Sequence, residues 1–329
     1  DLAQAEPIAA DIALIGGQII DGSGAPIRAG DVAIVDGDIV LPSDGDTIQA
    51  TWSIDCSGLM ICPGFIDLHN HSDGEIEEPE TRAAVNFLTQ GCTTMVTGNC
   101  GSGPIDVGKY YRHIDVYGAG TYIAHLSPQG NLRKQVLASA RVEPTAAQLD
   151  QMRELADQAM RDGAWGMSTG LIYVPSSFAS TEEITEIAKV VAKHGGIYAS
   201  HIRGEGMNLL ESIDEALRIG RDSDCPVHIS HFKSSGRKSW GLVREAARTI
   251  VAQRESGQIV TADQYPYHAS STSLGATVLP SSAREGSGNY VRKRLDEEAP
   301  RMRKLIAERI ANADDGRASR IAVYKKNTQ

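Results

Sequence analysis

Two histidines one residue apart, His69 and His71, close the apolar run Cys62-Pro63-Gly64-Phe65-Ile66-Asp67-Leu68-His69-Asn70-His71. With residues 61–71 extended as a strand, alternate side chains share a face, so Asp67, His69 and His71 point the same way. Two imidazoles so placed can grip one cation. Zinc takes neutral imidazole readily, and a catalytic metal needs a few rigid ligands plus an open position for water. A lone His-x-His also occurs on strands for packing or solvent exposure, so the motif is weighed against the rest of the chain.

Other metal-type residues fall near the ends of further predicted strands, over residues 92–100, 121–126, 164–171, 197–203, 226–232 and 259–265. Cys100 ends the second strand counted from residue 61, His201 lies on the fifth, His231 near the end of the sixth, and Asp263 and Tyr265 on the seventh. In a barrel of parallel strands the active site lies at the strands' C-terminal ends, so these residues gather towards one rim. On the sixth strand period two puts Val227, Ile229, His231 and Lys233 on one face and His228 on the other. His231 is therefore the candidate ligand, and His228 is expected to be a packed or hydrogen-bonded outer-face residue.

Cys100, in Thr97-Gly98-Asn99-Cys100-Gly101, reads as a thiolate ligand because it sits at a strand end between glycines. A buried apolar cysteine and a nucleophile paired with His201 are the other readings, and the further histidines favour metal. Asp67 and Asp263 are expected to be supporting carboxylates. His113, His125, His194 and His268 carry no second signal and are assigned to structure; Cys56, Cys62, Cys92 and Cys225 are assigned to packing.

The elements that must position these residues are legible in the patterning. Residues 11–60 hold short β-rich runs, Ile12-Ala13-Leu14-Ile15, Asp31-Val32-Ala33-Ile34-Val35 and Asp38-Ile39-Val40, separated by Gly16-Gly17, Asp21-Gly22-Ser23-Gly24 and Asp36-Gly37. Such runs predict a small antiparallel β unit. Beyond it strands alternate with amphipathic helices: residues 145–162 with Leu149, Met152, Leu155, Ala156 and Ala159 on one stripe, a helix opened by a Ser180/Glu183 capping box, residues 205–219, and residues 300–312. Residues 281–289 read as a loop, and Ile321-Ala322-Val323-Tyr324 follows the last helix. The alternation predicts an α/β fold, a (β/α)8 TIM-type barrel over residues 61–329 that stops one strand short, behind a small β domain over residues 1–60.

Composition narrows the class. The 329 residues are 41% hydrophobic and 22% charged, ordinary globular values. A net charge of −10 argues against nucleic acid, whose phosphates need clustered Lys and Arg. No apolar run is long enough to span a membrane, so no membrane partner is expected. Five scattered cysteines give no disulfide framework and suit a reducing, cytoplasmic compartment. Ala3-Gln4-Ala5 has the small-x-small form of a signal-cleavage site, and a chain starting at Asp1 reads as processed, which keeps the periplasm open.

The ordered set Pro63-Gly64-Phe65-Ile66-Asp67-x-His69-x-His71, Thr97-Gly98-Asn99-Cys100-Gly101, Ala199-Ser200-His201-Ile202-Arg203, Ile229-Ser230-His231-x-Lys233 and Thr261-Ala262-Asp263-Gln264-Tyr265-Pro266-Tyr267 resembles the D-aminoacylases, or N-acyl-D-amino-acid deacylases, of the amidohydrolase superfamily. The resemblance implies zinc-dependent hydrolysis of the amide of an N-acyl-D-amino acid, a small-molecule substrate. It implies a tightly held zinc on Cys100, His201 and His231 and a second, weaker position on His69 and His71. It also implies that Lys233 and Tyr265 bind the substrate's α-carboxylate, with Arg203 helping. Hydantoinase-like relatives carry a bridging carbamylated lysine on the fourth strand, which here reads Trp165-Gly166-Met167-Ser168-Thr169-Gly170. The catalytic aspartate the resemblance implies lies after an eighth strand, beyond Gln329, so the expectation is a fragment whose catalytic residue is unknown. A hydantoinase-type or isoaspartyl-dipeptidase-type enzyme and an inactive metal-binding fragment are the alternatives; oligomeric state is open.

Overall fold

The computed structural model describes residues 6–312 apart from 268 and 287. The Ala3-Gln4-Ala5 motif, His268 and the run from Ile321 lie outside the described residues. Two compact units divide between Phe65 and Ile66.

The first unit is a five-stranded mixed sheet: β1 (Ile8–Ile19), β2 (Arg28–Val35), β3 (Asp38–Val40), β4 (Ile48–Asp55) and β5 (Met60–Ile61), with path order β3-β2-β1-β4 and β5 on β1. β1 pairs antiparallel with β2 but parallel with β4 and β5, so the purely antiparallel expectation is corrected. β4 was legible as well, since Ile48, Ala50, Trp52 and Ile54 alternate with Gln49, Thr51, Ser53 and Asp55, the period-two pattern of a strand; a reading by continuous apolar runs passes over it. Gly16-Gly17, expected to be a turn, lies inside β1, where the register with β2 shifts between Leu14 and Gly17 and Gly16 takes a φ of +74°. That is a β-bulge, and a positive φ is available there at little cost because glycine has no Cβ.

The second unit has the (β/α)8-type plan. Its strands are β6 (Phe65–Asp67), β7 (Cys92–Thr97), β8 (Tyr122–Pro128), β9 (Gly166–Gly170), β10 (Ile197–His201), β11 (Val227–Ile229) and β12 (Val260–Ala262), lying side by side in sequence order. The registered pairs β7·β8, β8·β9, β9·β10, β10·β11 and β11·β12 are parallel. Among the described residues β6 and β12 are the sheet's two edges.

Helices cover the outer face. The Ala146–Arg161 helix starts with a Thr145/Gln148 capping box and buries Met152, Ala156, Ala159 and Met160. The Thr181–Lys193 helix buries Ile184, Ile187, Ala188 and Val191 against the same core. Each large aliphatic side chain so buried contributes about 1.5–3 kcal/mol. Ser180 caps the second helix through the Glu183 N–H, but the reciprocal half of the expected capping box is absent. The Glu183 carboxylate is buried on Arg133 instead. The helix expected at residues 205–219 begins only at Leu209 and runs to Ser223. Residues 281–289, expected to be a loop, contain a short 3-10 turn, Ser281–Arg284, and the start of the Gly288–Glu297 helix. Among the described residues no helix is long and apolar enough to cross a membrane.

Candidate metal centre

Every barrel strand but β8 is shorter at its C-terminal end than its β-propensity suggests, and this shortening builds the site. β6 stops at Asp67 because Asp67 Oδ1 accepts the His69 N–H at 3.0 Å, a local turn that competes with the ladder. His69 and His71 therefore lie in the loop after β6 and not on a strand, contrary to expectation. β7 stops at Thr97, and Cys100 sits in a 3-10 turn, Asn99–Gly101, with a φ of +54°. β11 stops at Ile229, and His231 takes a φ of +39°. Left-handed backbone at two non-glycine residues costs energy, and such residues cluster at functional sites.

The Cys100 turn is fixed from below by β9. Ser168 Oγ donates to the Gly98 carbonyl and accepts the Gly101 N–H at 2.8 Å. Gly98 has to be glycine: its φ is +76°, and a Cβ would run into the Leu126 carbonyl and the His125 ring.

These turns bring four side chains together. Cys100 Sγ lies 3.5 Å from His69 Nε2, 3.5 Å from His201 Nδ1 and 3.7 Å from His231 Nε2. His201 Nδ1 and His231 Nε2 are 2.8 Å apart. With Zn–S near 2.3 Å and Zn–N near 2.0–2.1 Å, tetrahedral angles put sulfur and nitrogen about 3.5 Å apart, so the spacings from Cys100 fit one zinc-sized ion, while the two imidazole nitrogens would have to part by about 0.5 Å to share it. His71 is adjacent, its ring centroid 5.4 Å from that of His69. Among the described residues His201 Nε2 is buried without a partner. Cys100, His201, His231, His69 and His71 thus meet at one rim.

The electrostatics suit a cation. Burial, reinforced by Asp263 and Glu205, pushes the Cys100 thiol up to about 12. Burial and the neighbouring His231 bring His201 down to about 3, and burial with His69 and His231 brings His71 to about 4. A thiol so raised beside a neutral imidazole is a poor free nucleophile, which weighs against the Cys100–His201 nucleophile reading. Releasing its proton to solvent, with the thiolate then coordinating a cation, would be the favourable route.

Two carboxylates orient the imidazoles. Asp263 Oδ2 faces His69 Nδ1 at 3.1 Å and His228 Nε2 at 2.8 Å, while Oδ1 accepts the His231 N–H at 2.6 Å. Burial would raise this carboxyl, but the bonds from His228 and His69 outweigh it and hold it well below the carboxylate range. Glu205 Oε1 faces His231 Nδ1 at 2.9 Å. An ionised carboxylate only accepts, so the facing Nδ1 atoms of His69 and His231 carry the protons and their Nε2 lone pairs turn to Cys100.

His228 is hydrogen-bonded as expected, to Asp263 and to Thr261 Oγ1 at 2.8 Å, but its face is corrected. It lines the cavity enclosed by Leu68, Val96, Leu126 and Ala199 together with Thr94, inside the curve of the sheet. Period two fails because β11 ends before His231 and the left-handed residue resets the alternation.

A cavity of about 950 Å³ opens beside the cluster, lined by His69, His71, His231, Asp263, Tyr265 and Tyr267 among others. Among the described residues the Tyr265 hydroxyl is buried without a partner, and Lys233 Nζ lies 5.5 Å from its ring centroid. Lys233 Nζ is bound to Glu205 Oε1 at 2.5 Å and the His231 carbonyl at 3.1 Å. Arg203 does not join them: its guanidinium is bound to Glu215 and to the Ser177 and Ala179 carbonyls. Glu205 is the residue the sequence reading missed. Its only signal was a carboxylate between two glycines, four residues after His201.

The sequence profile of the amidohydrolase family matches residues 53–258. A D-aminoacylase from Alcaligenes xylosoxydans xylosoxydans is 37% identical over 287 residues, 80% of this chain and 59% of that protein. An N-acyl-D-aspartate deacylase from the same organism is 35% identical over 293 residues, 82% of this chain and 58% of its own length. The structure of N-acyl-D-glutamate deacylase from Bordetella bronchiseptica, complexed with zinc and a phosphonate mimic of its reaction's tetrahedral intermediate, gives a TM-score of 0.75 at 33% identity, covering 79% of this chain and 59% of that one. The chain spans about three fifths of the length of these relatives.

Proposed function

Because this chain belongs to the amidohydrolase family, we infer that the full-length protein is a zinc-dependent hydrolase that cleaves the amide of N-acyl-D-amino acids, releasing a D-amino acid and a carboxylate. The observation that carries the reading is the convergence of Cys100 Sγ with three imidazole nitrogens at 3.5–3.7 Å. Cys100, His201 and His231 hold one zinc tightly, and His69 with His71 forms a second, weaker position. A bound zinc supplies Lewis acidity, bringing the pKa of water towards about 7 and polarising an acyl carbonyl.

The remaining roles belong to the chain's own residues. Lys233 supplies the positive charge and Tyr265 the hydroxyl that bind the substrate's α-carboxylate, while the adjoining cavity takes the rest of the molecule. Arg203, occupied by Glu215, is left to structure. Asp263 and Asp67 act as supports, since their oxygens already accept imidazole and backbone N–H groups. A hydantoinase-type site is disfavoured because β9 reads Gly-Met-Ser-Thr-Gly and offers no lysine.

The test is to offer the full-length protein N-acetyl-D-amino acids, their L-enantiomers, hydantoins and isoaspartyl dipeptides, with zinc measured by elemental analysis. Hydrolysis confined to the D-amides, at about one or two zinc per chain, is expected; hydrolysis of hydantoins alone overturns the reading.

A further inference from the structure

Glu205 touches both halves of this site through a single atom. Its Oε1 lies 2.9 Å from His231 Nδ1 and 2.5 Å from Lys233 Nζ, and Lys233 Nζ is itself 3.0 Å from His231 Nδ1. Glu205 Oε1 is the common acceptor of both nitrogens, whose own approach is donor to donor and not a hydrogen bond, and all three groups are largely buried. Glu205, in the loop after β10, is held there by the loop after β11: its carbonyl accepts the Ser235 N–H at 2.6 Å, and its Oε2 faces Ser235 Oγ at 3.4 Å.

We propose that Glu205 is a positioning residue shared by the metal-holding and substrate-holding sides of the site. Towards the metal, its oxygen accepts the hydrogen bond from the His231 Nδ1–H and so presents the Nε2 lone pair to Cys100 and His201. Partners of this kind change metal affinity by about 10–100-fold when lost. Towards the substrate, the same oxygen and the His231 carbonyl hold two of the three Lys233 donors, which fixes the ammonium near the Tyr265 ring and leaves one donor for an incoming anion. The neighbouring carboxylate does not do both jobs: Asp263 reaches His69, His228 and the His231 backbone, and among the described residues Lys233 is not one of its hydrogen-bond partners. The Lys233 side of the proposal rests on the N-acyl-D-amino-acid reading; the His231 side does not.

The experiment compares full-length wild type with Glu205→Gln, Lys233→Met and Glu215→Gln. Zinc affinity is read by competition with a chromophoric chelator. Ligand preference is read by calorimetry on zinc-free protein with N-acetyl-D-alanine and its carboxamide. Glu205→Gln should weaken zinc about 10–100-fold and cut the preference for carboxylate over carboxamide about tenfold, the worth of one charge-assisted hydrogen bond. Lys233→Met should lose the preference and keep the zinc. Glu215→Gln, which disturbs the Arg203 pair outside the cluster, should lower the melting temperature and move neither readout.

A folded Glu205→Gln with wild-type zinc affinity, or with a loss no larger than that of Glu215→Gln, overturns the His231 role. Weakened zinc with an unchanged preference overturns the Lys233 role. A wild type that neither binds nor cleaves any N-acyl-D-amino acid defeats the functional reading and the Lys233 role with it, while the zinc measurement still decides the His231 role.

Discussion

His69 and Asp263 stand 194 residues apart in the chain and meet at 3.1 Å, Nδ1 against Oδ2. The same carboxylate takes His228 and the His231 backbone, so one side chain from just beyond β12 sets groups from the ends of β6 and β11. Asp263→Asn keeps the shape but leaves one acceptor oxygen for three donors. Its zinc affinity should fall about 10–100-fold, as chelator competition would measure. An unchanged affinity would mean that His69 needs no orientation from Asp263.

Zinc affinity should depend on pH through Cys100. With its thiol pushed up to about 12, Cys100 is protonated throughout the neutral range, whereas His201 at about 3 is already neutral. Binding then expels the thiol proton, and affinity should rise about tenfold per pH unit between pH 6 and 8 on this account. Cys100→Ala should flatten that slope. A wild-type affinity independent of pH would remove Cys100 from the ligand set.

Asp73 should make the fold less stable as pH rises. Burial, partly offset by the Gly98 N–H bond, raises its carboxyl to about 6, while an unfolded aspartate titrates near 3.9. Between those values the unfolded chain has released a proton that the folded one keeps, so stability drops across pH 4–6 and the full cost stands above it. Two pKa units correspond to about 2–3 kcal/mol. Asp73→Asn should therefore stabilise zinc-free protein at pH 8 and leave it nearly unchanged at pH 4, measured by urea unfolding. Equal gains at both would place the cost elsewhere.

Arg133 and Glu183 form an ion pair with both side chains out of solvent, and the guanidinium also binds the Ala140 and Val142 carbonyls. Glu183→Ala leaves a buried charge without its counterion and should cost about 3–5 kcal/mol in urea. Removing both charges with apolar residues of similar volume should recover much of it. A cost of the single change under about 1 kcal/mol would mean that water reaches the guanidinium.

The site was legible as far as residue type and order carry information. Cys100, His201 and His231 stood out because metal-type side chains are uncommon at the ends of predicted strands, and the alternation of elements placed those ends on one rim. Faces and boundaries were less legible. The apolar runs continue past the last ladder bond, and the turns that end β6, β7 and β11 are made by an Asp67 side chain and by left-handed Cys100 and His231, which no period reports. Hence His228 was put on the wrong face. Glu205 was missed because it lies in the loop between His201 and the Leu209 helix, where no periodicity marks which polar residue turns inward.

The donors' order along the chain also has a bearing on biogenesis. Cys100 leaves the ribosome 101 residues ahead of His201, which at about 5–20 residues per second is roughly 5–20 s. Throughout that interval the nascent thiol waits with its future partners still unmade, so the surroundings of the growing polypeptide must keep it reduced until the later strands arrive.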